Sequence, residues 1–83
     1  MTYRLVLDYN YPVKARRGER KGPKGSLLKA VQFIGTDLED ILADARNNTA
    51  AIADAATLIS ATLYDNDAFR AGDYNGEDML ARI

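Results

Sequence analysis

The sequence predicts a mainly α fold with a small N-terminal β element, its long central helix assembled as a parallel trimeric coiled coil. Apolar residues recur every seven positions through the middle of the chain. With Val31, Leu38, Ala45, Ile52 and Ile59 at position a, the d positions are Leu27, Ile34, Ile41, Asn48, Ala55 and Thr62. Nine of these eleven sites are apolar, where a 47% hydrophobic composition would supply about five by chance. Residues 37–64 are rich in Ala and Leu and contain neither Gly nor Pro. A continuous helix there would span about 40 Å at ~1.5 Å per residue. A single amide, Asn48, falls in the otherwise dry seam, where such a residue fixes register and strand number.

Residues 1–13 read as an N-terminal strand. Tyr3, Leu5, Leu7 and Tyr9 alternate onto one face, and Arg4, Val6 and Asp8 onto the other. Pro12 has no N–H to donate and is expected to end the ladder. A lone strand is unstable in water, so this one requires a partner strand.

Residues 14–25 read as a flexible basic loop, because three glycines and a proline in twelve residues oppose a regular element. Lys14, Arg16, Arg17, Arg20, Lys21 and Lys24 form a candidate docking patch. The patch suits a larger acidic protein body, with nucleic acid as the second choice of partner. No aromatic residue is interleaved, and Lys24-Gly25-Ser26 has the wrong order for a phosphate-binding loop of the Gly-Lys-Ser/Thr type.

Residues 26–35 have two readings. Ser26 can cap a helix opening at Leu27, or Lys29–Ile34 can form a second strand. Gly35 and the capping-box pattern Thr36-Asp-Leu-Glu39 favour a helix start at Thr36. The long helix is therefore placed at 36–64. Its expected seam is Leu38, Ile41, Ala45, Asn48, Ile52, Ala55 and Ile59. β-Branched residues at both a and d shift the preference from two strands toward three. Leu42, Ala56 and Leu63 widen the stripe in the same sense. Replacing Asn48 with Ile is then expected to raise stability while loosening the choice of oligomer. Residues 65–83 form a tail in which Gly72 and Tyr74-Asn75-Gly76 mark turns, closed by a short amphipathic helix.

A competing architecture uses the same residues. Asn47-Asn48-Thr49 can be a turn with Thr49 capping a second helix, which yields a compact α+β domain with an α-helical hairpin.

Asn48-Thr49-x-x-Ile52, with Asn at d and Ile at the next a, resembles the asparagine-at-d motif of trimeric coiled-coil stalks in bacteriophage tail fibres and trimeric autotransporter adhesins. The resemblance covers about eight residues, and Ala45 departs from it, since a larger aliphatic residue is usual there. It implies that Asn48 points at the trimer axis, that a small anion sits between the three copies, and that Thr49 supports the layer.

Composition narrows the function. Eighty-three residues make one domain near the lower limit for an adequate core. Without Cys or His, disulfides, ordinary zinc sites and His-based acid–base catalysis are excluded. Asp37, Glu39, Asp40 and Asp44 crowd one helix face, but they lack the carbonyl cage of a calcium site. No residue set reads as catalytic, cofactor-binding or metal-binding. Charge is asymmetric: residues 1–35 carry +6 and residues 36–83 carry −7, a net −1. Such a chain can pair head to tail with its own copies. No apolar run reaches a membrane span, and the N-terminus does not read as a signal peptide. The expectation is a non-enzymatic homo-oligomeric assembly protein, a small bacteriophage virion component located in the virion or host cytoplasm. The alternatives are a viral inhibitor of a host protein and a nucleic-acid-binding module.

Overall fold

A computed structural model describes residues 1–83. The chain is an α+β domain in two layers: a four-stranded antiparallel sheet with one helix across one face. The elements run β1 (Tyr3–Lys14), β2 (Ser26–Gly35), α1 (Leu38–Ala51), β3 (Thr57–Asp65), α2 (Asn66–Arg70) and β4 (Glu77–Asp78). The strand order is β2-β1-β3-β4, so β1 lies inside the sheet, between β2 and β3.

The alternation of β1 explains its place. Leu5, Leu7 and Tyr9 are fully buried, and Arg4, Val6, Asp8 and Asn10 turn to the other face. Leu5 pairs with Phe33 of β2 and Leu63 of β3, and Leu7 with Val31 and Ala61. Ile41, Leu42 and Ala45 of α1 close over that surface with Met79 from the C-terminal segment. Pro12 does not end the strand. The register with β2 shifts between Tyr11 and Lys14, and pairing resumes at Lys14 with Ser26, so the missing N–H is accommodated in an irregularity.

The expected coiled coil is absent. α1 has 14 residues and stops at Ala51, Ile52–Ala56 turn, and Thr57–Asp65 is a strand. The seven-residue repeat therefore crosses element boundaries. Leu27, Val31 and Ile34 belong to β2; Leu38, Ile41, Ala45 and Asn48 to α1; Ile52 and Ala55 to the turn; Ile59 and Thr62 to β3. Within α1 the spacing is helical and real, but the stripe packs on this chain's own sheet. In β3 a bulge imitates it: Asp8 pairs with Ser60 and Tyr9 with Leu58, leaving Ile59 unpaired. That extra residue resets the alternation, so Leu58, Ala61 and Leu63 reach the core side with a helix-like gap of three.

The helical hairpin is also overturned, because the turn lies at 52–56 and the returning segment is a strand. The stalk resemblance falls with the long helix. Residues 26–35 are strand, in keeping with the later helix start that Gly35 favoured. The N-cap of α1 is Asp37, one residue later than the capping box placed it; its carboxylate accepts the Asp40 N–H at 3.2 Å.

Asn48 and Thr49 have an interior task of a different kind. Thr49 donates to the Ala45 carbonyl at 2.8 Å. The Tyr9 hydroxyl lies 2.8 Å from Thr49 Oγ1 and 2.9 Å from the Asn48 amide nitrogen. Each hydroxyl has one proton, so the order is fixed: Asn48 donates to Tyr9, Tyr9 to Thr49, and Thr49 to the helix backbone.

Candidate nucleic-acid interface

The turn joining β1 to β2 gathers the basic residues into one tip. Beyond Lys14 the chain is tied back by backbone bonds: Ala15 N–H to the Gly25 carbonyl at 2.9 Å and Glu19 N–H to the Arg16 carbonyl at 3.1 Å. The Arg16 N–H in turn donates to the Glu19 carboxylate at 2.8 Å. Gly18 takes φ 86°, a left-handed conformation that favours glycine at this turn. The return limb then runs beside β2. Gly22 N–H reaches the Ser26 carbonyl at 2.7 Å and Leu28 N–H the Arg20 carbonyl at 3.1 Å. A Cβ at Gly22 would lie 2.9 Å from Asn10 Oδ1, so a larger residue there would have to displace the Asn10 side chain. Ala15 is buried beneath the tip. The segment expected as a loose loop is folded onto the sheet.

Five members of the expected patch, Lys14, Arg16, Arg17, Lys21 and Lys24, are exposed and form no ion pair; the two ion pairs of the molecule are Arg20–Asp8 and Arg82–Glu39. Arg20 is diverted to the helix-free sheet face. It meets Asp8 at 3.0 Å, whose second oxygen accepts from Ser60 at 3.0 Å. Arg20 thus clamps the tip to the sheet. Lys14 and Lys24 flank an open cleft of about 330 Å³ with Pro12, Val13, Gly25 and Ser26. Lys29, omitted from the expected patch, stands 6.0 Å from the Tyr11 ring centroid. The alternation of β2 could have shown that it lies near that base.

Acidic residues collect at the other end of the strands. Asp37, Glu39 and Asp40 open α1, and Asp65, Asp67, Asp73, Glu77 and Asp78 follow from the end of β3 onward. A second open cleft lies there, with Asp65 and Glu77 in its wall. No group of three carboxylates converges to hold a metal ion. Asp65 instead caps α2, accepting the Asp67 N–H at 3.0 Å.

The expected seam residues do not form one surface. Ile41 and Ala45 are core, Leu38, Asn48 and Ile52 are half-buried, and Ala55 and Ile59 are exposed at separate places. A polar anchor that sequence reasoning missed is Arg4. Its Nε donates to Asn66 Oδ1 at 2.8 Å, its Nη1 donates to Gln32, and its guanidinium lies 4.4 Å from the Phe69 ring centroid. Phe69 sits between Tyr64 and Tyr74.

The chain matches no protein-family model, no curated protein and no solved structure. No helix is long and apolar enough to cross a membrane.

Proposed function

We propose that this chain is a small non-catalytic binding module that docks its basic hairpin tip on the phosphate backbone of a nucleic acid. The observation that carries the reading is the set of five exposed, unpaired cations on a tip whose backbone is already hydrogen-bonded in place. Holding the charges in advance lowers the ordering cost of docking. Residues 12–25 contain no aromatic side chain, so the tip offers phosphate contacts rather than base stacking. A virion assembly role drew its support from the stalk resemblance and loses that support with it. An acidic protein surface would use the same cations, and salt titration with DNA separates the two.

If all five cations neutralise phosphates, log K should fall with a slope near about −4.5 against log salt, a loss of roughly 500-fold from 50 to 200 mM. Fluorescence anisotropy with a labelled duplex reads this directly. The double variant Arg16→Glu/Arg17→Glu should remove most of the affinity without changing the circular dichroism spectrum. No binding at low salt, or a flat salt response, sinks the reading.

A further inference from the structure

The outer edge of β2 is the one long unprotected feature of the sheet. Its hydrogen-bonding parity follows from the return limb of the tip. The Ser26 carbonyl and Leu28 N–H both bond outward, to Gly22 and Arg20, and the register is unbroken from Leu27 to Gly35. Ala30, Gln32 and Ile34 therefore also direct their N–H and C=O groups outward, beyond the reach of residues 20–22, and none has a backbone partner. Over residues 29–35 the edge has no Pro, no bulge and one charge, Lys29. Ile34 is 53% exposed, with half-buried Val31 and Phe33 on the helix side. The opposite edge shows the usual protections: a short acidic β4 of Glu77 and Asp78, and Met79 N–H on the Ala61 carbonyl.

We propose that this edge pairs antiparallel with the same edge of a second copy, about a two-fold axis at Gln32, joining two four-stranded sheets into one of eight. Only outward-facing residues can exchange bonds, so permitted registers step by two. The register centred on Gln32 sets Ala30 against Ile34 and Gln32 against Gln32. It satisfies all three free positions and leaves residues 20–22 in place. On the helix side it sets Val31 against Phe33.

Charge selects a second copy over a foreign strand. A two-fold axis across β2 reverses the strand ends, so each basic tip lies alongside the other copy's acidic start of α1. Lys21 and Lys24 then face Asp37 and Asp40, while Arg20 and Glu39 keep their ion pairs within each copy. A two-fold contact of this kind closes on itself and stops at two. Arg16 and Arg17 sit beyond it at the turn, so the dimer does not depend on the nucleic-acid reading. With Lys21 and Lys24 engaged between copies, Lys14, Arg16 and Arg17 remain for phosphate, and the salt slope per copy falls to about −2.7.

Sedimentation equilibrium across the micromolar range tests the pairing. The wild-type chain should show twice the monomer mass of 9.1 kDa, with dissociation promoted by salt. Ala30→Pro removes only an outward N–H, which sheet edges tolerate. Ala30→Lys sets a charge against Ile34 of the other copy while lying beside Asp8 of its own sheet. Both variants should sediment as monomers with an unchanged circular dichroism spectrum; if the proline variant unfolds, the lysine variant decides. A wild-type monomer at every concentration, a trimer, or a dimer that survives Ala30→Lys overturns the proposal. Arg16→Glu/Arg17→Glu should lose DNA binding yet remain a dimer, so the two readings fail separately.

Discussion

Replacing Tyr9 with Phe tests the half-buried hydrogen-bond chain that joins the sheet to α1. The ring remains, so no cavity opens, and the loss is confined to two hydrogen bonds, from Asn48 and to Thr49. Each such bond contributes about 0.5–1.5 kcal/mol net. Asn48 and Thr49 are half-buried and can recover part of their bonding from water, which sets the expected loss at about 1–2 kcal/mol. For a domain of this size that corresponds to a melting temperature lower by roughly 4–16 °C. Thermal and urea denaturation of Tyr9→Phe, Thr49→Val and the double variant form a cycle with an expected coupling of about 0.5–1 kcal/mol. Asn48→Ile should also destabilise, by about 1 kcal/mol, because Tyr9 loses its donor. In a coiled-coil seam the same substitution would stabilise, so the sign alone separates the two architectures. A wild-type-like Tyr9→Phe, or an Asn48→Ile of higher stability, would refute the network.

Other substitutions follow from packing. Leu42→Ala deletes a fully buried side chain of α1 and should cost about 2–5 kcal/mol in urea unfolding. Gly76→Ala sets a Cβ 2.8 Å from the Tyr64 ring and closer still to the Thr62 methyl. A melting curve should show a loss of about 1–3 kcal/mol, whereas a neutral result would mean that the 74–77 segment lifts off β3 freely. Asp37→Ala removes the N-cap of α1 and should lower stability by about 1 kcal/mol; Thr36→Ala should change little, since Thr36 is not the cap.

The local elements were more legible than their assembly. Period-two alternation identified β1 correctly, and the acidic start of α1 was visible at Thr36–Glu39 to within one residue. Glycine and proline marked the basic turn. What failed was the continuation past Ala51, where an apolar stripe in α1 and a bulged β3 shared the same sevens. Thr57, Ile59 and Thr62 are strand-favouring residues, yet the insertion at Ile59 hides the alternation that would have revealed the strand. Asn48 misled for a related reason: a half-buried amide looks the same in the sequence whether it faces a symmetry axis or a tyrosine hydroxyl. The candidate patch was readable as composition. That Arg20 is spent on Asp8 was not, because their meeting depends on the fold of residues 15–22 across β2.

The interior position of the first strand also governs how the chain is born. On the ribosome, β1 and β2 can close as a local hairpin soon after residue 35 emerges. The other side of β1 must wait until residues 57–65 are translated. Through that interval Leu5, Leu7 and Tyr9 lack both their β3 neighbours and their helical cover, and residues 1–35 carry +6 within reach of ribosomal RNA. Neutralisation comes only with the acidic second half. Protease digestion of stalled nascent chains should therefore find the hairpin protected later than its short sequence separation would suggest.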